Sequence, residues 1–477
     1  MIKTKIVVTV GPACGSVDVL TRLIDNGADL LRINFSHGDH DQHRQFVHNA
    51  RAAAQATDSC LAIIGDLCGP KIRLDQFSDS PRLIEPQQEL LFIAHPDSQN
   101  PQALSTTYPH IVNDIRLGDR LMIKDGSITT VVSDKSACSF TCTCQTSGLL
   151  EPGQGINLPD TPISATLPTE KDLADLEWAA ANDLDFLALS FVRRTDEVRT
   201  AREKLRSAGS DIKLIAKIEK PQALEELDQI IAASDGILVA RGDLGVEIDL
   251  ARVPLVQKDI IRRCQSAGKP VIVATQMLAS MIVAHTPTRA EVSDVANAIF
   301  DQSDAVMLSG ETAIGANPVR AVQTIERIAR VSEEYQDTHP TTAPTLDLDL
   351  LPRSQAALAR GVARLTAEAR CSLVVVWSQS GATAGLISKT RIGVPILALS
   401  SDPAVCRRMV LQYGVIPWRM DLPPDSLALL CAVDKLLLEQ KWVQPGDTII
   451  VVTGHPLGTP TTTDTLHLHT VGFTQTT

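Results

Sequence analysis

Eight short apolar segments, each followed by a polar or charged residue, recur through the first part of the chain and constrain its fold more than any other feature. They begin at Ile6, Asp29, Ala62, Asp185, Leu214, Gly236, Pro270 and Ala305. Segments with helical periodicity separate most of them, for example Val17–Asn26 and Thr288–Asp301. Eight parallel strands alternating with helices, with polar residues at the carboxyl ends, are typical of a (β/α)₈ barrel. A doubly wound sheet is the structural alternative, and the count of eight favours the barrel.

The alternation stops after the third apolar segment and resumes about ninety residues later. Residues 72–165 read as short strands separated by turn signals such as Asp125-Gly126. Residues 339–352 are rich in Pro and Thr and are typical of a linker. We therefore predict an α/β protein in three parts. They are a (β/α)₈ TIM barrel at 1–71 and 166–338, an inserted small β-barrel lid domain at 72–165, and a C-terminal open α/β domain at 353–477.

Composition narrows the class of protein. The net charge of −12 lacks the basic footprint that a nucleic-acid partner requires, and no apolar run reaches the length of a membrane helix. The N-terminal segment KTKIVVTVGP reads as a strand and not as a signal peptide. Ten scattered cysteines are typical of a reduced, cytoplasmic protein. Cys142 and Cys144 alternate along a predicted strand, which disfavours a zinc site there.

Residues 214–246 read as a strand, a helix, a second strand and a glycine-rich loop. Lys217 and Glu219 point the same way because side chains alternate along a strand. If the two strands are parallel neighbours, Glu219 and Asp243 both lie at their carboxyl ends. Two carboxylates beside a lysine indicate a site for Mg²⁺ and a phosphate, and Gly242 lets the backbone approach a ligand. A surface cluster of salt bridges is the alternative.

Further polar residues follow the predicted strands. The whole set is Arg32, Asn34, Ser36, His37, Asp66, Lys71, Arg73, Lys217, Glu219, Asp243, Thr275, Ser309 and Glu311. Arginine and lysine favour an anionic phosphoryl group, and hydroxyls suit proton transfer. The chain has neither a P-loop motif nor a dinucleotide-binding fingerprint. The residues alone predict Mg²⁺-assisted phosphoryl or enolate chemistry in a barrel.

Seven motifs, in order and nearly end to end, resemble the pyruvate kinase family. They are RINFSHG, GDLCGPKIR, KIEKPQAL, VARGDLGVEI, ATQMLASM, PTRAEVSDVANAIFDQSDAVMLSGET and PGDTIIVVTG. The resemblance implies transfer of a phosphoryl group from phosphoenolpyruvate to ADP, giving pyruvate and ATP. It also implies Mg²⁺ or Mn²⁺ as cofactor, a homotetramer, and the same three-part fold.

The resemblance also implies roles for individual residues. The catalytic set would be Lys217, Arg32, Thr275, Ser309 and Glu311. The substrate-binding set would be Arg32, Lys217, Gly242, Asp243 and Thr275. The nucleotide-binding set would be Asn34, Ser36, His37, Arg73 and Asp125. The metal ligands would be Glu219 and Asp243.

Plainer explanations exist for some of these residues. Asn34 and Ser36 are also suited to capping a turn, and Ser309 and Glu311 to supporting the site from behind. His37 is alternatively a loop histidine without a catalytic part. Lys217, Glu219 and Asp243 are expected to be functional, because three charges at one barrel rim are costly without a ligand.

Two positions raise separate hypotheses. Gln154 stands where the family often has a lysine, which predicts weaker ADP binding. Cys68 lies two residues after Asp66 and close to Lys71 and Arg73, which predicts a reactive thiol protected by phosphoenolpyruvate. A buried, inert thiol is the alternative reading of Cys68.

The residue at position 71 bears on whether the protein requires a monovalent cation. Family members that require K⁺ usually have glutamate in the GPxIR motif, whereas this chain has GPKIR. We expect Lys71, paired with Asp66, to replace K⁺ among Asn34, Ser36, Asp66 and the Leu67 carbonyl, so that K⁺ is not required.

The C-terminal domain is expected to bind a phosphorylated allosteric effector. Hydroxyls and a glycine at a predicted helix N-terminus suit a phosphate, and the residues are Ser378, Ser380, Gly381 and Thr383. The resemblance to pyruvate kinases implies that a second loop near residues 454–462 closes over the effector. A plain capped helix is the alternative.

Two other function classes were open at the level of the residues. A Mg²⁺-dependent barrel aldolase or lyase would use similar parts for enolate chemistry but would need neither the lid nor Arg73. A catalytically inactive metabolite sensor would have lost Lys217, Glu219 or Asp243, and all three are present.

Overall fold

A computed structural model describes residues 2–94, 100, 102–339, 346–457 and 463–473. Its strands are, in chain order, β1 (Lys5–Thr9), β2 (Leu30–Asn34), β3 (Ala62–Asp66), β4 (Ile72–Arg73), β5 (Arg82–Ile84), β6 (Glu89–Ile93), β7 (Arg120–Ile123), β8 (Ile128–Lys135), β9 (Ser139–Cys144), β10 (Gly148–Leu150), β11 (Gly155–Asn157), β12 (Phe186–Leu189), β13 (Lys213–Ile218), β14 (Gly236–Ala240), β15 (Val271–Ala274), β16 (Ala305–Leu308), β17 (Leu373–Trp377), β18 (Ile396–Ser400), β19 (Val415–Arg419), β20 (Thr448–Thr453) and β21 (Thr465–Thr470).

Its α-helices are, in chain order, α1 (Val17–Asp25), α2 (His40–Ala56), α3 (Ile111–Asp114), α4 (Glu170–Ala181), α5 (Thr195–Ser207), α6 (Gln222–Glu225), α7 (Leu227–Ala233), α8 (Arg241–Glu247), α9 (Val253–Ser266), α10 (Arg289–Phe300), α11 (Gly310–Ala313), α12 (Pro318–Thr338), α13 (Arg353–Glu368), α14 (Ala382–Lys389), α15 (Pro403–Met409) and α16 (Ser426–Glu439). None of the helices in the described part of the chain is long and apolar enough to cross a membrane.

The predicted barrel is present. Eight strands close in the order β1-β2-β3-β12-β13-β14-β15-β16, and all their pairings are parallel. Nearly every strand residue is buried, because side chains fill the interior on one face and contact the helices on the other. Parallel closure brings the carboxyl ends of all eight strands to one rim.

Side-chain caps fix where several barrel helices begin. The Thr169 hydroxyl accepts a hydrogen bond from the Asp172 backbone N–H, and the Asp172 carboxylate accepts one from the Thr169 backbone N–H. Thr288 and Glu291 form the same capping box at the start of α10. The loops at the rim therefore lead into helices whose starting points are set locally.

One local prediction was wrong: residues 241–247 form helix α8 and not a glycine-rich loop. Two glycines lower the intrinsic helix propensity of this segment. Tertiary contacts outweigh that preference, because Leu244, Val246 and Glu247 are buried and Arg241 donates to Asp294 and to the Thr275 carbonyl.

The inserted segment is a β domain. Its larger sheet is antiparallel, in the order β4-β11-β7-β8-β9-β6, and β10 pairs with β5 beside it. Phe92 and Phe140 stack in its core with ring centroids 5.0 Å apart. The entry strand β4 and the return strand β11 pair with each other, so both crossings to the barrel lie at one hinge.

The C-terminal part is an open α/β sheet in the order β19-β18-β17-β20-β21, in which only β21 is antiparallel. The apolar segments LVVVWS, PILALS and DTIIVVTG predict β17, β18 and β20, whereas the sequence analysis missed β19 and β21. Both missed strands are at sheet edges, where proline and polar residues are tolerated and the apolar signal weakens. Pro417 lies within β19, and His467 and His469 lie within β21.

This domain packs against the barrel end opposite the polar rim. Val410 and Leu411 join the apolar cluster that fills the barrel interior. Lys389, at the end of α14, has its Nζ 2.6 Å from Oδ1 of Asp304, which directly precedes β16, and both side chains are fully buried. Of the predicted linker, residues 340–345 lie outside the described residues.

Candidate active site

A polar cleft occupies the barrel rim at the carboxyl ends of the strands. Its lining residues are Arg32, Asn34, Ser36, His37, Asp66, Leu67, Cys68, Lys71, Arg73, Ser190, Phe191, Lys217, Glu219, Leu238, Ala240, Asp243, Thr275, Met307 and Ser309. Most of the residues predicted from the strand ends are therefore in one place. Cys68 is among them and is partly exposed, so its predicted reactivity stays a prediction.

Lys217 is the centre of the cleft's hydrogen-bond network. Its Nζ lies 3.0 Å from Glu219 Oε1 and 3.2 Å from Asp66 Oδ1, and it donates to Ser190 Oγ at 2.6 Å. Burial opposes the charge, but the carboxylates of Asp66 and Glu219 raise the pKa of Lys217 above its usual range. The ammonium is therefore permanently charged and fixed in position.

Glu219 lies one residue beyond the end of β13. Its Oε2 accepts a 2.6 Å hydrogen bond from the backbone N–H of Phe191, whose φ of +58° is in the left-handed region. Burial and the nearby charge of Asp243 outweigh the attraction of Lys217 and raise the pKa of Glu219. Glu219 and Asp243 both line the cleft, and carboxylate oxygens are the type of ligand that Mg²⁺ prefers.

Arg32 and Asp66 form the second part of the network. Arg32 Nε donates to Asp66 Oδ2 at 2.6 Å, and Arg32 Nη1 donates to Thr9 Oγ1 at 3.0 Å. Burial raises the pKa of Asp66, but the positive charges of Arg32 and Lys217 prevail and hold it below its usual range. One carboxylate thus aligns the two cations, which is suitable for binding an anion.

The residues after β14 and β15 meet across the rim. Thr275, at φ +69°, accepts a 2.7 Å hydrogen bond from the Gly242 backbone N–H and donates to the Ala274 carbonyl at 2.6 Å. The left-handed φ of a β-branched residue is costly and points to a functional constraint. The backbone N–H of Gly242, a residue of the predicted substrate-binding set, is therefore bonded to this hydroxyl.

Positive charge dominates the side of the cleft nearest the lid. Burial, followed by the charges of Arg73, Lys71 and Arg32, lowers the pKa of His37. Arg73 is held there by its Nη1, which donates to the Gly153 carbonyl of the lid at 2.9 Å. A group of cations around a neutral histidine provides an electrostatic field suited to a polyphosphate.

Three predicted residues are not among those lining the cleft. Glu311 is buried behind it, where its carboxylate accepts from the backbone N–H groups of Ser309 and Leu278 at 2.7 and 3.1 Å. Asp125 is exposed in the turn between β7 and β8. Gly242, as described, contacts Thr275.

Two smaller expectations are corrected or refined. The predicted pairing of Lys71 with Asp66 is wrong, because Asp66 instead contacts Arg32, Lys217 and Ser190. Asn34 does cap its turn, since its Oδ1 accepts from the Ser36 backbone N–H at 3.1 Å.

Sequence reasoning missed Ser190 and Phe191, which follow β12. Ser190 Oγ accepts from Lys217 and donates to the Leu67 carbonyl at 2.7 Å, so it fixes the lysine to the neighbouring strand end. One signal was available: of the barrel segments after the inserted domain, DFLALSFV was the one from which no polar residue was taken as a candidate.

The fold and the site together are those of a barrel enzyme whose polar cleft is suited to a phosphorylated, anionic substrate. Residues 1–322 match the family model described as pyruvate kinase, barrel domain, and residues 356–469 match pyruvate kinase, alpha/beta domain.

Individual proteins agree with these matches. The chain is 39% identical to a pyruvate kinase of Corynebacterium efficiens over 98% of both chains, and 38% identical to one of Mycobacterium tuberculosis, also over 98% of both. A crystal structure of a pyruvate kinase from Cryptosporidium parvum superposes with a TM-score of 0.90 at 33% identity, covering 98% of this chain and 96% of that one.

The chain belongs to the pyruvate kinase family. It is a phosphotransferase whose reaction is the transfer of a phosphoryl group from phosphoenolpyruvate to ADP. The barrel aldolase or lyase is not favoured.

Proposed function

We propose that the Lys217 network is the catalytic centre of this reaction. The observation that carries the proposal is the buried ammonium of Lys217, fixed by Ser190, Asp66 and Glu219 at the barrel mouth. A preorganised positive charge stabilises the charge that a transferring phosphoryl group spreads over its oxygens. Arg32, aligned by Asp66, binds the same phosphate from the opposite side.

The two carboxylates Glu219 and Asp243 would hold Mg²⁺ or Mn²⁺. They fit the ion because both line the cleft and offer hard oxygen ligands, and because the negative charge of Asp243 is close enough to raise the pKa of Glu219. When bound, the ion supplies positive charge against the phosphate and enolate oxygens.

The reaction then needs one bond formed, one broken and one proton. An ADP phosphate oxygen attacks phosphorus while the bond from phosphorus to the enol oxygen breaks. The enolate takes a proton at its methylene carbon, which makes pyruvate. Thr275 lies nearest this carbon in the proposal, with Ser309 as part of the proton relay. Glu311 orients Ser309 through its backbone N–H.

The nucleotide occupies the side of the cleft nearest the lid. Arg73 and His37 bind its phosphates, Asn34 and Ser36 shape the adjoining loop, and Asp125 approaches when the lid closes. Gln154 donates to the Leu149 carbonyl and to Glu151 within the hinge, so it offers no positive charge to ADP. We expect ADP to bind more weakly than in relatives with a lysine there.

Lys217→Met tests the catalytic centre. The variant keeps much of the apolar stem but removes the charge, so phosphoryl transfer should fall by about 10³-fold or more while the protein stays folded. The measurement is ATP formation from phosphoenolpyruvate and ADP in a coupled assay. If the variant retains as much as about a tenth of parent turnover, the role given to Lys217 is wrong.

We also propose that the enzyme does not require K⁺. Asp66 is already neutralised by Arg32 and Lys217, and Lys71 adds a positive charge on the same side of the cleft. A further cation would meet like charge at short range.

The test is activity in a tetramethylammonium buffer with Mg²⁺ and without K⁺, Na⁺ or NH₄⁺. Near-full activity is expected, and Lys71→Glu should acquire K⁺ dependence. A parent enzyme that is almost silent until K⁺ is added would contradict the assignment of Lys71.

A homotetramer is the proposed assembly. An apolar groove lies between α10 and α12. Its side chains Val331, Tyr335 and Phe300 are 59%, 55% and 38% exposed to solvent, and a second copy of the chain would cover them. Light scattering should give a molar mass about four times that of one chain, with Val331→Glu reducing it. A parent protein that is monomeric at micromolar concentration would contradict this.

The C-terminal domain is proposed to bind a phosphorylated effector. Gly381, at φ +80°, is the N-cap residue that precedes α14. Ser378 Oγ accepts from its N–H at 3.0 Å, and Thr383 Oγ1 lies 2.7 Å from Thr463 Oγ1. The same contacts would serve a capped helix without a ligand. Of the expected second loop, residues 458–462 lie outside the described residues.

Ser380→Asp tests this site, because a carboxylate there would repel a phosphate. A sugar phosphate or nucleotide should lower the half-saturating phosphoenolpyruvate concentration of the parent but not of the variant. If no phosphorylated metabolite shifts the parent's saturation curve, the effector site does not exist.

A further inference from the structure

A second buried ion pair lies directly behind the two proposed metal ligands. Lys220 Nζ donates to Glu247 Oε1 at 2.6 Å, and side chains of both residues are almost fully buried. Neither residue lines the Lys217 cleft, and none of the roles assigned above uses them. A buried charge pair is expensive to form, which calls for a reason beyond stability.

The positions of this pair in the chain supply the reason. Lys220 directly follows Glu219, at the end of β13. Glu247 is the last residue of α8, one helical turn after Asp243, so the two carboxylates share a helix face. The ion pair therefore joins the segment that carries one metal ligand to the helix that carries the other.

The pair lies just beyond the point where the backbone pairing of the two segments ends. Glu219 is buried and Asp243 is partly exposed, and both line the Lys217 cleft. β13 pairs with β14 as far as Ile218 and Val239, and α8 follows β14 directly, so beyond these residues the spacing of Glu219 and Asp243 depends on side-chain contacts. A short ion pair in a region of low dielectric fixes the spacing of the two backbones.

The lid hinge completes the arrangement. Asn157, the last residue of β11, donates its Nδ2–H to the same Glu247 Oε1 at 3.0 Å. Glu247 Oε2 is buried and has no hydrogen-bond partner within the described residues. One carboxylate oxygen of Glu247 thus accepts a hydrogen bond from Lys220 of the barrel and another from Asn157 of the lid.

We propose that Lys220 and Glu247 are positioning residues for the divalent cation, which set the distance between Glu219 and Asp243. This inference rests on the proposed metal site. Partners behind metal ligands typically change metal affinity by about 10- to 100-fold when they are removed.

The test measures the binding of Mn²⁺ alone to the protein. Electron paramagnetic resonance reports the binding as a decrease in the signal of the free ion. Lys220→Met and Glu247→Gln should each raise the Mn²⁺ Kd by about tenfold or more. The double variant should match the worse single variant to within about threefold, because both changes remove one interaction. Lys220→Arg keeps the charge and should restore most of the affinity.

Lys389→Met is the matched control. Lys389 is also a buried lysine with its Nζ 2.6 Å from a carboxylate, but it lies at the opposite end of the barrel. The Lys389→Met variant should lower the thermal midpoint as Lys220→Met does, because it leaves an unpaired buried carboxylate behind. Its Kd for Mn²⁺ should equal that of the parent. If Lys220→Met does not fold, the double variant carries the test, because it leaves no uncompensated charge.

Two failures are distinguishable. If Glu219→Gln and Asp243→Asn leave Mn²⁺ binding unchanged, the proposed metal site is wrong. If those variants abolish binding while folded Lys220→Met and Glu247→Gln stay within about twofold of the parent, only the positioning role is overturned. A Lys220→Arg variant as weak as Lys220→Met would also contradict it.

Discussion

Closure of the parallel barrel forces a set of buried charges to meet, and the chemistry of the protein depends on that meeting. Asp66 on β3 contacts Arg32 on β2 and Lys217 on β13, although β12 lies between β3 and β13. Ser190, which follows β12, bridges the gap by accepting from Lys217. Each charge is paired within the network, which makes its burial tolerable and leaves its geometry fixed before any ligand arrives.

The other two domains serve the two ends of this barrel. The lid meets the cation-rich side of the rim through its hinge, where Arg73 and Asn157 contact the lid and the barrel. The C-terminal domain seals the opposite end with Val410 and Leu411 and with the Lys389–Asp304 pair. Asp304 precedes β16, and Ser309 follows it. One strand therefore spans from the domain interface to the cleft, a short rigid connection between the two.

The barrel and the principal charges were predictable from sequence because their signals are local. Strands buried on both faces read as continuous apolar runs, and the residue after each run must be at the rim. Edge strands β19 and β21 gave no such run, and the helical state of residues 241–247 depends on contacts such as Arg241 with Asp294. Pairings could not be predicted either. Asp66 contacts Arg32 and Lys217, and not the nearby Lys71, because of strand register and side-chain direction, which only the fold defines.

The central claim is that the Lys217 network and the Glu219–Asp243 pair form one site that binds phosphoenolpyruvate together with a divalent cation. The most direct test is calorimetric titration of the purified protein with phosphoenolpyruvate. The titration is carried out first in buffer that contains Mg²⁺ and then in buffer that contains a chelator. We predict one binding site per chain with Mg²⁺, and a Kd for phosphoenolpyruvate that is higher by about tenfold or more with the chelator. Equal affinity in both buffers, or no binding in either, would contradict the account.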